Sequence, residues 1–154
     1  RRVRFHTADL EAKLADEPQS LRLLNRLAVI HARYGRYEAA LRRLEQIVAM
    51  EEYPPALTNM ANIYFIKEDY HRAAEYYERS IVKDGGSVAT LLGSAQCHYE
   101  LGNHDSSAAR YRLAESLDPE IAHRFAYLRT SEESETRASS PAESGSRIVW
   151  DTAE

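Results

Sequence analysis

Three stretches of this chain can be laid over one another. "LRLLNRLAVIHARYGRYEAALRRLEQIVAM" starts at Leu21, "PPALTNMANIYFIKEDYHRAAEYYERSIVK" at Pro54 and "VATLLGSAQCHYELGNHDSSAARYRLAESLDP" at Val88, in steps of 33 and 34 residues. A period of this size constrains the fold more than any single motif. Each unit must bury an apolar face that only the next unit can cover, so the units stack and the ends need capping. Within each stretch, apolar or small residues recur at i, i+3, i+4 and i+7, the spacing of one helix face. The first helix has Leu24, Leu27, Ala28 and His31; then Leu57, Met60, Ala61 and Tyr64; then Leu91, Ser94, Ala95 and His98. A second helix follows, with Tyr37, Ala40, Leu41, Leu44 and Ile47; then Tyr70, Ala73, Ala74, Tyr77 and Ser80; then His104, Ser107, Ala108, Tyr111 and Ala114.

Gly35 and Gly102 fall at the turn between the paired helices, Ala28, Ala61 and Ala95 at a first crossing, Ala40 and Ala73 at a second, and Pro119 after the third unit. In these residues the chain resembles the tetratricopeptide repeat family, over roughly residues 21–119. The resemblance implies an all-α helical-repeat solenoid of about three helix-turn-helix units, spanning 21–53, 54–87 and 88–118. Small residues at the crossings let helices approach at the near end of the roughly 8–10 Å range. The sequence departs from the family where Glu68 replaces a turn glycine, where His31, His98 and His104 replace aromatics, and where Leu24, Leu57 and Leu91 take the tryptophan place.

Flanking helices are expected at both ends. Residues 1–20 read as the second helix of a preceding partial repeat, with Thr7 as N-cap, Leu10 and Leu14 on one face and Pro18 as terminator. Residues 119–130 read as a capping helix opened by Pro119, with Ile121, Phe125 and Leu128 facing the third unit. The chain begins without Met or the apolar centre of a signal peptide, so it is expected to be part of, or processed from, something longer. No apolar run reaches the roughly 18–20 residues that a membrane-spanning helix needs.

Little in the sequence points to catalysis. Cys97, the single cysteine, sits in a helical pattern and reads as a small buried hydrophobe. Gly85 and Gly86 have neither a preceding strand nor a phosphate-loop lysine and are expected to end a helix. The six histidines offer no i, i+4 pair with a third ligand, and no serine or cysteine has a histidine and carboxylate at motif spacing. No catalytic residue, metal or cofactor is therefore assigned, and the expected activity is binding rather than catalysis.

The binding surface follows from the resemblance, in which first helices line a concave groove. By the repeat register its residues are Arg22, Asn25, Arg26, Val29 and Arg33; then Thr58, Asn59, Asn62, Phe65 and Ile66; then Leu92, Gln96, Tyr99 and Glu100. Arg22, Arg26 and Arg33 fall within about 40° of one another on the helix. Such a groove would take a protein or peptide partner: arginines for carboxylates, asparagines for main-chain amides, and Phe65, Ile66 and Tyr99 as anchors. Tyr64, Tyr70 and Tyr77 hold packing positions, whereas Phe65 and Tyr76 lie off that stripe. The family's carboxylate clamp for chaperone C-termini fits only at Asn59, since Asn25 and Val29, and then Ala89 and Gly93, stand in its other places. The expected role is a scaffold or adaptor in a larger assembly. The alternatives are a regulatory domain of a larger enzyme and a helical-repeat RNA binder. RNA binding is disfavoured because residues 1–130 carry 18 acids and 18 bases, without a basic footprint.

Residues 131–154 hold six acids against Arg137 and Arg147, a composition that cannot build a core. Its one apolar cluster is Ile148, Val149 and Trp150, the last being the sole tryptophan. The triplet reads either as the start of another domain or as a docking motif. In the second case the tail would return to a groove, its own or a second copy's, and self-association would follow from the latter. A spacer of 17 residues reaches about 20–25 Å, enough for that return.

Overall fold

Six helices repeat the steps read in the sequence. A computed structural model describes residues 2–130 and 148–153. The first helices of the units are α2 (Leu21–Arg33), α4 (Pro54–Ile66) and α6 (Val88–Glu100); the second are α3 (Tyr37–Met50), α5 (Tyr70–Asp84) and α7 (His104–Leu117). Each pair packs antiparallel about a short turn, and successive pairs stack so that α2, α4 and α6 lie side by side. Among the described residues the structure is helical, with no strand.

Local chemistry sets the helix ends. Ser20, Asp69 and Ser87 cap α2, α5 and α6 by accepting the amides of Leu23, Arg72 and Thr90. Pro54 and Pro55 occupy the first turn of α4, where a missing N–H costs nothing. The three intra-unit turns carry one hydrogen-bond pattern. Gly35, Glu68 and Gly102 adopt φ of +74°, +60° and +82°, and their amides bond Ala32, Phe65 and Tyr99. The next amides, of Arg36, Asp69 and Asn103, reach back to His31, Tyr64 and His98. Glu68 thus takes the left-handed conformation despite its Cβ, because the bonds around it impose the turn. Gly85 ends α5 in the same region.

The crossings are close because their residues are small. Ala28, Ala61 and Ala95 are fully buried, as are Ala40 and Ala73. Leu24, Leu44, Ile47, Met60 and Ile63 build a core around α2–α4, while Leu91, Leu92, Tyr111, Phe125 and Leu128 build one around α6 and α7. Ala61, Ala73, Tyr77 and Cys97 join the two. Burying a Leu or Ile side chain contributes about 1.5–3 kcal/mol, so these clusters carry the stack. On the surface, Glu38–Lys67, Glu52–Arg79 and Glu78–Arg110 bridge successive units, but exposed pairs of this kind contribute less than about 1 kcal/mol each.

Both flanks differ from the sequence reading. Helix α1 runs Arg2–Asp16, so Thr7 is buried in its interior instead of capping it. No glycine or proline in the preceding residues stops the helix, and Thr7 shares the face of Leu10 and Leu14 that packs on α2. At the other end, α8 is only Pro119–His123 and a 3-10 turn, Ala126–Arg129, follows it. The buried residues here are Ala122, Phe125 and Leu128, and Ile121, half-buried, packs against the same cluster of the third unit as expected. The spacing of three among the buried residues suits the 3-10 turn better than a continuous α-helix. Arg129 and Tyr111 both bond Glu115, fixing that turn on α7.

Candidate functional site

Three asparagines on the shared face of α2 and α4 bond the main chain of residues 149–151. Asn59 pairs twice with Asp151, accepting its N–H at 2.9 Å and donating to its carbonyl at 2.8 Å. Asn25 donates to the same carbonyl at 2.9 Å, and its own amide oxygen accepts from Asn59 at 2.8 Å. Asn62 donates to the Val149 carbonyl at 3.0 Å. All three side chains are buried, so bonds to the segment satisfy groups that would be costly to leave unmade.

Asn62 is itself held from behind. The Tyr77 hydroxyl donates to its Oδ1, which turns the amide nitrogen toward Val149. Tyr77 is fully buried and burial keeps its phenol neutral, with its pKa pushed well up. Its ring fits only because residue 93 is glycine: a Cβ there would lie 2.4 Å from the ring. A chain of fit therefore runs from Gly93 through Tyr77 and Asn62 to the segment's backbone.

The side chains of the segment go to different walls. Trp150 packs against the cluster of α2–α4 and Val149 against that of α6 and α7, the alternation of an extended chain. The Asp151 carboxylate accepts from Ser87 Oγ at 3.1 Å with one oxygen and from the Ala153 amide at 3.0 Å with the other. Ser87 caps α6, so the charge meets the positive end of that helix. Burial raises the pKa of the Tyr53 phenol, and the nearby Asp151 charge raises it further while Arg22 opposes. A cavity of about 430 Å³ remains beside the segment, walled by Ala32, Arg33, Tyr37, Ile66 and Arg124 and by Ile148, Val149 and Trp150.

The fourteen expected groove residues thus divide. Asn25, Asn59 and Asn62 touch the segment, and Arg33 and Ile66 line the cavity. Thr58 points inward, its hydroxyl sharing hydrogen bonds with Ser80 of its own unit and Thr90 of the next. Val29 and Leu92 are core, and Gln96 bonds Tyr127. Phe65 packs edge-on to Tyr70 against the cluster of Ala61, Tyr77 and Cys97, and Tyr99 sits between His104 and Tyr127. Arg22 is exposed, Arg26 is half-buried, and Glu100 has its pKa raised by burial and by Glu68. Tyr76 is half-buried, stacked on Tyr64 at 5.5 Å with Arg79 over its ring. Residues outside the expected groove set are Ser87, Tyr53, Gly93 and Arg124. Of these only Gly93 left a signal, as a glycine inside a helix pattern, which marks a close approach.

Among the described residues no group of histidine, cysteine, aspartate and glutamate could hold a metal, and no helix is long and apolar enough to cross a membrane. The Cys97 thiol donates to the Tyr70 carbonyl at 2.9 Å, and burial pushes its pKa up to about 12. His31 and His98 are half-buried at equivalent positions, each with its Nδ1 lacking a partner among the described residues.

Residues 58–120 match the tetratricopeptide repeat family. That span runs through the second and third units. Solved structures that share the fold include two. One, "Crystal structure of MamA", is 17% identical with a TM-score of 0.62, covering 79% of this chain and 77% of that one. The other, "Crystal structure of MamA protein", is also 17% identical, with a TM-score of 0.63 and coverage of 82% and 78%. No curated protein matches the chain by sequence. Tetratricopeptide repeats are typically non-catalytic modules for protein–protein interaction, and the match over residues 58–120 supports that role in general.

Proposed function

We propose that this chain acts by binding, as a scaffold or adaptor domain whose groove of first helices takes an extended protein segment by its main chain. The observation that carries this reading is the set of asparagine amides on the backbone of Val149 and Asp151. Asparagine offers a donor and an acceptor on one short side chain, so it can replace the two bonds that a neighbouring strand would make. Arg22, Arg26 and Arg33 border the groove on α2 and favour a partner with acidic residues beside its apolar anchor.

The test is affinity capture with the full chain and with Asn59→Ala plus Asn62→Ala, read by mass spectrometry, with circular dichroism to confirm equal helicity. Partners held by the groove drop out of the double variant. Recovery of the same set at the same yield would move the partner surface off these helices.

A further inference from the structure

The asparagine contacts are blind to sequence, because each ends on a backbone atom; the side chains of the segment are where selection can occur. Trp150 lays a large rigid surface, of the order of 150–250 Å², against the cluster of α2–α4. Val149 takes the opposite wall. Asp151 does two things at once: one oxygen accepts from Ser87 and the other from the amide two residues on. An asparagine could keep the second bond but would lose the charge that faces α6. A glutamate, longer by one methylene, would place its carboxylate past Ser87. No residue from 131 to 147 is a large apolar one, so the tail has this single triplet with which to anchor itself.

We propose that the groove selects a linear segment in which an aliphatic residue, a tryptophan and an aspartate follow one another, and that Val149–Trp150–Asp151 is the chain's own copy of that ligand, displaced when a partner segment of the same chemistry binds. This rests on the reading of the groove as a main-chain clamp. Tethering by residues 131–147 gives the internal copy a local concentration of roughly millimolar order. A free peptide with an intrinsic Kd of about 10 μM would therefore bind the intact chain about 100-fold more weakly than a chain whose own copy is disabled.

A fluorescein-labelled peptide, SRIVWDTAE, titrated by polarisation, tests both halves. The proteins are the full chain and the full chain with Trp150→Ala plus Asp151→Ala, which leaves the repeats untouched. The altered chain is expected to bind at least tenfold more tightly. Against it, peptides with Trp replaced by Leu or Asp by Asn lose tenfold or more. Ser87→Asp, added to the altered chain, keeps a side chain that caps α6 equally well but sets a like charge against the ligand. It should weaken the aspartate peptide and spare the asparagine peptide. Asn59→Ala separates the two levels of the argument. If binding needs Asn59 yet ignores the Trp and Asp exchanges, the clamp stands and the selection is overturned. If the altered chain binds no peptide, both fall. Equal affinity of intact and altered chains overturns occupancy by the tail. A mass of the intact chain that rises with concentration, and does not in the altered chain, overturns the intrachain occupant in favour of a second copy.

Discussion

Gly93→Ala is the smallest change that reaches from the core to the groove. The added methyl would lie 2.4 Å from two ring atoms of Tyr77 and 2.6 Å from its hydroxyl. Tyr77 cannot swing aside, being fully buried among Ala61, Ala73 and Cys97 with its hydroxyl bound to Asn62. Overpacking a core by one methyl costs about 1–3 kcal/mol. If the ring shifts enough to release Asn62, a buried hydroxyl left unmet adds about 1–3 kcal/mol. Against this, alanine is favoured over glycine within a helix by about 1 kcal/mol. The balance is a loss of about 2 kcal/mol, or roughly 4–8 °C in Tm for a chain of this length. Thermal circular dichroism measures the shift, and Trp150 fluorescence reports at the same time whether the segment has left its wall. A double-mutant cycle with Tyr77→Leu should show favourable coupling of about 1 kcal/mol or more, since the smaller side chain makes room for the methyl. A Tm unchanged or raised, as for glycine in an open helix, would refute the chain of fit from residue 93 to Asn62.

Ala61→Leu should cost about 1–3 kcal/mol, because the side chain is fully buried where α4 crosses α5; chemical denaturation checks it, and an unchanged midpoint would contradict that crossing. Glu68→Gly should stabilise by up to about 1 kcal/mol, since a non-glycine residue in the left-handed region costs about 1–2 kcal/mol while glycine loses about 0.5–1 kcal/mol in entropy; a lower Tm would argue against strain at this turn. Burial, then Arg36 and Arg43, lower the pKa of His31, and burial, then Arg110, lower that of His98. Below the ordinary histidine value of about 6.5 the unfolded chain therefore takes up protons that the fold refuses, so stability falls on acidification from pH 7.5 to 5.5. Melts across that window, with His31→Tyr flattening part of the slope, provide the check.

The repeat lattice was legible because it is carried by spacing. Helices starting at residues 21, 54 and 88 follow from recurring alanines, capping serines and turn glycines that each act locally. Glu68 shows how strong that lattice is, since the turn forms with an unsuitable residue. The groove was legible only in part. Asn25, Asn59 and Asn62 were reachable from register, but Thr58 is buried, and the half-buried Phe65 and Tyr99 pack on Tyr70, His104 and Tyr127, because one position on a helix is a rotation of about 100°. Small differences in how units stack decide which edge of that rotation meets a neighbour, and the pattern does not record stacking. Ser87 was hidden for another reason: its role depends on a residue 64 positions away. The end of the stack escaped as well, because Ile121, Phe125 and Leu128, four and three apart, suggest an α-helix, whereas the buried set Ala122, Phe125 and Leu128 is spaced by three. Thr7 does not cap, because capping residues are also tolerated inside a helix when they share its buried face.

Cys97 is walled in by α4, α5 and α6, with its thiol bonded to Tyr70 and its ionisation suppressed. Thiol reagents attack the thiolate, so in the closed stack there is almost nothing for them to attack. Modification must wait for the second and third units to part. Because the chain has one cysteine, each molecule can be labelled only once, and under fast closing the labelling rate reports the equilibrium population of that open joint alone. The solenoid carries a built-in gauge at its waist, readable as the mass of a single label: it would tell whether filling the groove stiffens the seam behind it.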